Sequence, residues 1–186
     1  MRPDDAHRAR RRLLRGAAAA ALLGLGGPLP SAAQGQAPAG ETRPVEPGRF
    51  LGFAYSSAVL QERASGLAAS RDTRPEVREF AREMARFRGQ QLARLRATAQ
   101  ERSLRLPTEE EFEHRVVLEN LEPLDYLALS RRYAEVQVQA LEQEIRGYEA
   151  AAQAPDPGVR GLAAELLPQL RRQSEAARRM LDAVKP

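Results

Sequence analysis

Apolar residues in this chain recur at every third or fourth position over four long stretches, and no segment of strand length alternates apolar with polar. Phe50, Phe53/Ala54, Ser57, Leu60, Ala64 and Leu67 mark the first helical stripe. "RDTRPEV" then breaks and restarts the chain, with Asp72 or Thr73 as N-cap and Pro75 in the first turn, where its missing N–H is not needed. Val77, Phe80/Ala81, Met84, Gln91/Leu92, Leu95 and Ala99 form the second stripe, which runs to about Arg102. Pro107 ends that helix. Thr108 and Glu111 have the spacing of a capping box and open a short helix that frays near Asn120. Pro123 opens a third long helix through Leu124, Leu127, Ser130/Arg131, Ala134, Val138, Leu141, Ile145 and Tyr148. Asp156 caps the last, with Pro157 in its first turn, a stripe of Val159, Leu162/Ala163, Leu166/Leu167, Leu170 and Leu181, and a kink at Pro168. Four principal helices of roughly 24 to 30 residues would each be about 40 Å long.

The second and fourth helices open on related phrases, "RPEVREFAREM" and "DPGVRGLAAEL". Pro75/Pro157, Val77/Val159, Arg78/Arg160, Ala81/Ala163 and Glu83/Glu165 coincide, and Phe80/Leu162 and Met84/Leu166 are alike. Capped, arginine-rich amphipathic helices give some such matches by chance. Two related helical hairpins joined by a longer crossover would give them by descent, and that is the connectivity of ferritin-like bundles.

Composition changes this picture at the N-terminus. The net charge of +4 sits in residues 1–33, where six arginines outnumber two aspartates; without them 23 bases face 23 acids. The remainder is formally neutral, which argues against nucleic acid or anionic lipid as partners. "RARRRLLRG", "AAAAALLGLGG" and "PLPSAAQ" have the order of a signal peptide, cut near Ala33, and Ala17 to Gly27 is shorter than a spanning helix. "RRRLLR" resembles a twin-arginine signal, although Ala9 stands where that pattern has Ser or Thr; export by the general or the twin-arginine route both stay open, as does an uncleaved anchor. The expectation is a signal peptide over 1–33, a Pro/Gly-rich tether over 34–48 and a helical domain over 49–184, in the periplasm. The chain has no cysteine, which excludes disulfides and thiolate chemistry.

From Phe50 to Leu181 the chain resembles the domain-of-unknown-function 4142 family of exported bacterial proteins. The resemblance rests on "RFLGFAYSSAVLQERASGLAASRDTRPEVREFAREM", Leu106–Pro107, "LDYL" at Leu124 to Leu127 and "DPGVRGLAAELLPQL". It implies an all-α fold, a ferritin-like four-helix bundle of two hairpins with a short extra helix in the crossover. It also implies Asp-His pairs on the second and third long helices and a His on the last. Those positions hold Phe87 and Arg88, a His-free stretch at Tyr133 to Val136, and Gln173. A guanidinium cannot donate an electron pair, so any metal or proton site built from those imidazoles would be lost here.

The residues themselves give little chemistry. His114 follows Glu111 at Glu-x-x-His spacing, but a di-iron bundle needs two such motifs on long helices, so the expectation is a solvated or capping histidine. Glu76, Glu79, Glu83, Glu142, Glu144 and Glu165 fall mostly off the apolar stripes among arginines, as surface pairs do. Arg88 falls at the rim of a stripe; it either anchors an acidic ligand inside the bundle or lays its stem over the core with its head in water. Ser56, Ser57 and Ser65 have no histidine nearby in sequence, and Tyr126, Tyr133 and Tyr148 read as packing residues. No residue is assigned as catalytic, cofactor-binding or metal-binding, and no cofactor is expected. The expected role is non-enzymatic, through an unidentified protein partner in the envelope. An apolar strip on one helix would support a homodimer; a metal-binding or redox protein and a membrane-anchored adaptor are the alternatives.

Overall fold

The computed structural model describes residues 44–108 and 111–185, and every regular element among them is an α-helix. The expected signal segment and Ala33 lie outside the described residues. The helices are α1 (Pro47–Arg71), α2 (Pro75–Glu101), α3 (Phe112–Leu121), α4 (Tyr126–Ala151) and α5 (Pro157–Val184). None is long and apolar enough to cross a membrane.

Local chemistry sets the ends. α1 starts inside the stretch read as a tether, because the Glu46 carboxylate accepts the Gly48 and Arg49 N–H groups at 2.9 and 2.7 Å ahead of the apolar stripe. At α2 the N-cap position belongs to Arg74, not to Asp72 or Thr73. Asp72 instead accepts the Arg74 N–H at 2.9 Å and the Ser130 hydroxyl at 2.8 Å, which ties the α1–α2 turn to α4. The expected Thr108 capping box does not form: α3 begins at Phe112 with Glu111 at its N-cap, and the Glu111 N–H donates to Ser56 on α1. α4 begins three residues after Pro123. Arg71, at the end of α1, donates to the Glu122 and Leu124 carbonyls and to the Asp125 carboxylate, which holds the turn after α3; Asp125 is extended, and Tyr126 at φ +48° starts the helix. Asp156 caps α5 as the sequence predicts, accepting from Gly158 and Val159, and α5 continues through Pro168.

The packing follows from the pairs between elements. α1 and α2 form one antiparallel hairpin, α4 and α5 another; α1 also lies against α4, and α2 against α5. Both cross-hairpin pairings are antiparallel: Ser65 meets Tyr133 while Phe50 meets Tyr148, and Arg94 meets Glu165 while Arg74 reaches the Ala183 carbonyl. The connection from α2 to α4 therefore runs the length of the helices, and α3 lies within it against α1 and α4.

The related phrases open the second helix of each hairpin and bury matching residues, Val77/Val159 and Ala81/Ala163, with no exposure. The buried set is aliphatic and small, with Leu51, Met84, Leu92, Leu95, Leu129, Leu141 and Leu170 at its centre. Two edge-to-face aromatic pairs, Phe50–Tyr148 and Phe80–Tyr133, sit near opposite ends.

Asp156 carries a testable share of stability. Its carboxyl is held below the ordinary value of 3.8, first by the Val159 N–H and then by Arg102. Arg102 fits there because Gly158 has no side chain to displace it. A depressed folded pKa gives stability that is present above the unfolded value and is lost as pH falls through the folded one. Urea midpoints of the wild type should thus drop below about pH 4. The drop should be smaller in Asp156→Asn; equal drops would remove this assignment.

Candidate functional site

At mid-height the interior is polar, which corrects the reading of Arg88 as a rim residue and of Glu144 as a surface acid. Both side chains are fully buried, and they form an ion pair between α2 and α4. Nη1 of Arg88 lies 2.8 Å from each carboxylate oxygen of Glu144 and 2.5 Å from Gln91 Oε1. Nη2 donates to Gln61 Oε1 at 2.6 Å, and Nε to the Met84 sulfur at 3.4 Å.

The two glutamines hold the charges in register. Gln91 Nε2 donates to Glu144 Oε1 at 2.6 Å and Gln61 Nε2 to Oε2 at 3.0 Å. Each amide therefore turns its carbonyl toward the guanidinium and its NH2 toward the carboxylate. Gln91 reaches on to the Tyr148 hydroxyl at 2.9 Å and Gln61 to Ser57 at 3.2 Å. α1, α2 and α4 all contribute, so the cluster couples three of the four long helices. Burial pushes the Tyr148 phenol upward, reinforced by the Glu144 charge, and it stays protonated as a hydrogen-bond partner. Tyr133 is pushed up by burial too, and shares a 2.8 Å hydrogen bond with Ser65.

This donor set does not fit a metal. Glu144 is the only carboxylate in the cluster, both its oxygens are engaged, and the neighbouring cation is permanent. Among the described residues no group of three or more His, Asp or Glu side chains is arranged to hold an ion. Phe87 is buried beside Arg88, and Gln173 on α5 donates weakly to Glu83 at 3.4 Å. The positions that the resemblance gives to imidazoles thus serve packing and ion pairing.

His114 is neither solvated nor a cap. It is buried, with Nδ1 2.6 Å from Ser56 Oγ, so the fold joins two residues that lie 58 apart in sequence. The Glu111 N–H donates to the same oxygen at 3.0 Å. Two groups from the crossover converge on a serine with 1% exposure, and this pins α3 to α1. No described carboxylate orients the other ring nitrogen, so a triad is not assembled. Of the three tyrosines, Tyr133 and Tyr148 pack as expected, whereas Tyr126 is 70% exposed.

The other glutamates behave as surface residues, with Glu165 on Arg94, Glu142 on Arg178 and Glu76 on Arg74. Arg94 holds the Glu165 carboxyl below its ordinary value and is itself raised by it.

One signal for the cluster was present in the sequence. Arg88 falls four residues from both Met84 and Leu92, and Glu144 three from Leu141 and four from Tyr148. Opposite charges on the apolar stripes of two helices are the pattern of a buried pair.

Two predictions follow from this chemistry. Glu144→Gln leaves a buried guanidinium without its counter-charge and should cost about 3–5 kcal/mol of unfolding free energy, while Arg88→Met/Glu144→Leu should recover most of that loss. Denaturant titration decides it; a single variant as stable as wild type would refute the pairing. Gln137 is fully buried and neither amide atom has a partner. Gln137→Met should therefore raise stability by about 1–2 kcal/mol in the same assay, and a loss would show that the amide is satisfied.

The chain matches no curated protein and no solved structure. The sequence pattern of the domain-of-unknown-function family DUF4142 matches residues 30–180. That span is most of the chain and contains the Arg88–Glu144 cluster, so this protein belongs to the DUF4142 family, whose function is unknown.

Proposed function

We propose that this protein is an exported, ferritin-like four-helix bundle of the cell envelope that acts without catalysis, through its helix surfaces. The observation that carries this reading is the closed state of its interior. The place between facing helices where a bundle would build a metal or cofactor site holds a permanent cation paired with one carboxylate, and two glutamines occupy both oxygens of that carboxylate as well. A group entering there would have to break an ion pair in a low-dielectric interior. Two antiparallel hairpins with a crossover running the helix length support the ferritin-like arrangement.

The leader supports export. Its basic start, apolar core and small residues near Ala33 have the order of a cleaved signal, so the folded unit would act in the periplasm. The partner would be another envelope protein that meets a surface of arginine–glutamate pairs, such as Arg171–Glu149 and Arg178–Glu142.

One preparation tests both parts. Protein purified from the periplasm of an expressing bacterium should start near residue 34 by N-terminal sequencing and carry no stoichiometric transition metal. An intact N-terminus retained in the membrane would replace export with anchoring. A stoichiometric metal that survives dialysis would overturn the closed-interior reading.

A further inference from the structure

Where α1 begins and α4 ends, the first turns of α1, the segment after α2 and the last turns of α4 enclose a groove of about 870 Å³. Its volume lies in the range of sites that take small molecules, and like them it is walled mainly by apolar groups. Val45, Phe50, Phe53, Leu106, Pro107 and Ala150 supply those walls. Gly147 fixes the shape of the floor: a Cβ there would come within 3.1 Å of the Phe53 ring, so the glycine lets that ring lie against α4.

The charges at the rim are unequal in availability. The Glu46 carboxylate is committed to the N–H groups at the start of α1, and Arg49 sits in its field. Arg105 is exposed, lines the groove, and has no hydrogen bond or ion pair to any described residue. Arg71, Arg94, Arg102 and Arg171, by contrast, each clasp a carboxylate. An uncommitted guanidinium at the mouth of an apolar groove complements a molecule with one acid group and a hydrocarbon body. A guanidinium matches a carboxylate as a bidentate fork. Glu46 and Glu111 also line the groove, so a doubly charged phosphate would meet about twice the repulsion there that a carboxylate meets.

We propose that this groove binds a single-chain alkyl carboxylic acid, with the chain along Phe53, Leu106 and Ala150 and the carboxylate on Arg105. The site is separate from the buried Arg88–Glu144 cluster, and the proposal holds whether or not the protein is exported.

The test is calorimetric titration of the purified full chain with dodecanoate below its micelle concentration. Dodecanol, dodecyl phosphate and phosphatidylglycerol vesicles serve as comparison ligands. One-site, saturable dodecanoate binding is expected. Arg105→Gln, an exposed position that leaves the core intact, should weaken it about tenfold or more. Dodecanol should bind the wild type as weakly as dodecanoate binds that variant. Gly147→Leu, confirmed folded by circular dichroism, should abolish binding by displacing Phe53. Absence of dodecanoate binding, equal affinity in Arg105→Gln, tighter binding of dodecyl phosphate, or binding to vesicles alone would each overturn the proposal.

Discussion

A guanidinium cannot shed its proton, so a fold that buries one must surround it with acceptors and a counter-charge. Arg88 sets that condition for this protein. It requires Glu144 to come from α4, Gln61 from α1 and Gln91 from its own helix to one point, all with fully buried side chains. Sliding one helix past another by a turn would leave a charge unpaired, a cost of several kcal/mol against total stabilities of about 5–15. Leucine and alanine contacts alone tolerate such slips far better. The apolar core thus supplies the driving force for association, and the ion pair selects the register in which it occurs.

Other polar contacts act on the same helices from their ends. Asp72 receives Ser130 across the α1–α4 interface, Arg71 holds the entry to α4, and Arg102 holds Asp156 at the start of α5. His114 and the Glu111 N–H converge on Ser56 and fasten the crossover to α1. The hairpins are thereby fixed at both ends and at mid-height, while α3 packs only against α1 and α4. Local opening would accordingly begin at α3, the element with the fewest buried residues.

Much of the helical layout was legible in the sequence, because period 3.6 and the Pro75, Asp156 and Pro157 signals are local. Val77, Ala81, Leu92, Leu141, Val159 and Leu170 all lie where their stripes put them. Several departures share one cause, that a partner distant in sequence decides the outcome. Asp72 receives Ser130 from α4 besides the Arg74 N–H, Glu111 gives its N–H to Ser56, and His114 is buried against that same serine. Arg88 belongs to the interior because α4 presents a carboxylate 56 residues away, which the pattern of α2 taken alone does not show. The exposed Tyr126 and Leu127 follow from the late start of α4, which leaves both at its first turn rather than within its buried face.

Glu144 and two glutamines hold the Arg88 guanidinium immobile within the protein. Nitrogen-15 and proton NMR of the arginine side chains tests it most directly, since a solvated guanidinium rotates and exchanges fast enough to merge its Nη signals. Four separate, slowly exchanging Nη protons on Arg88, at least one coupled through a hydrogen bond to the Glu144 carboxylate, are the predicted result. A single averaged Nη signal, like that of an exposed arginine, would contradict the account.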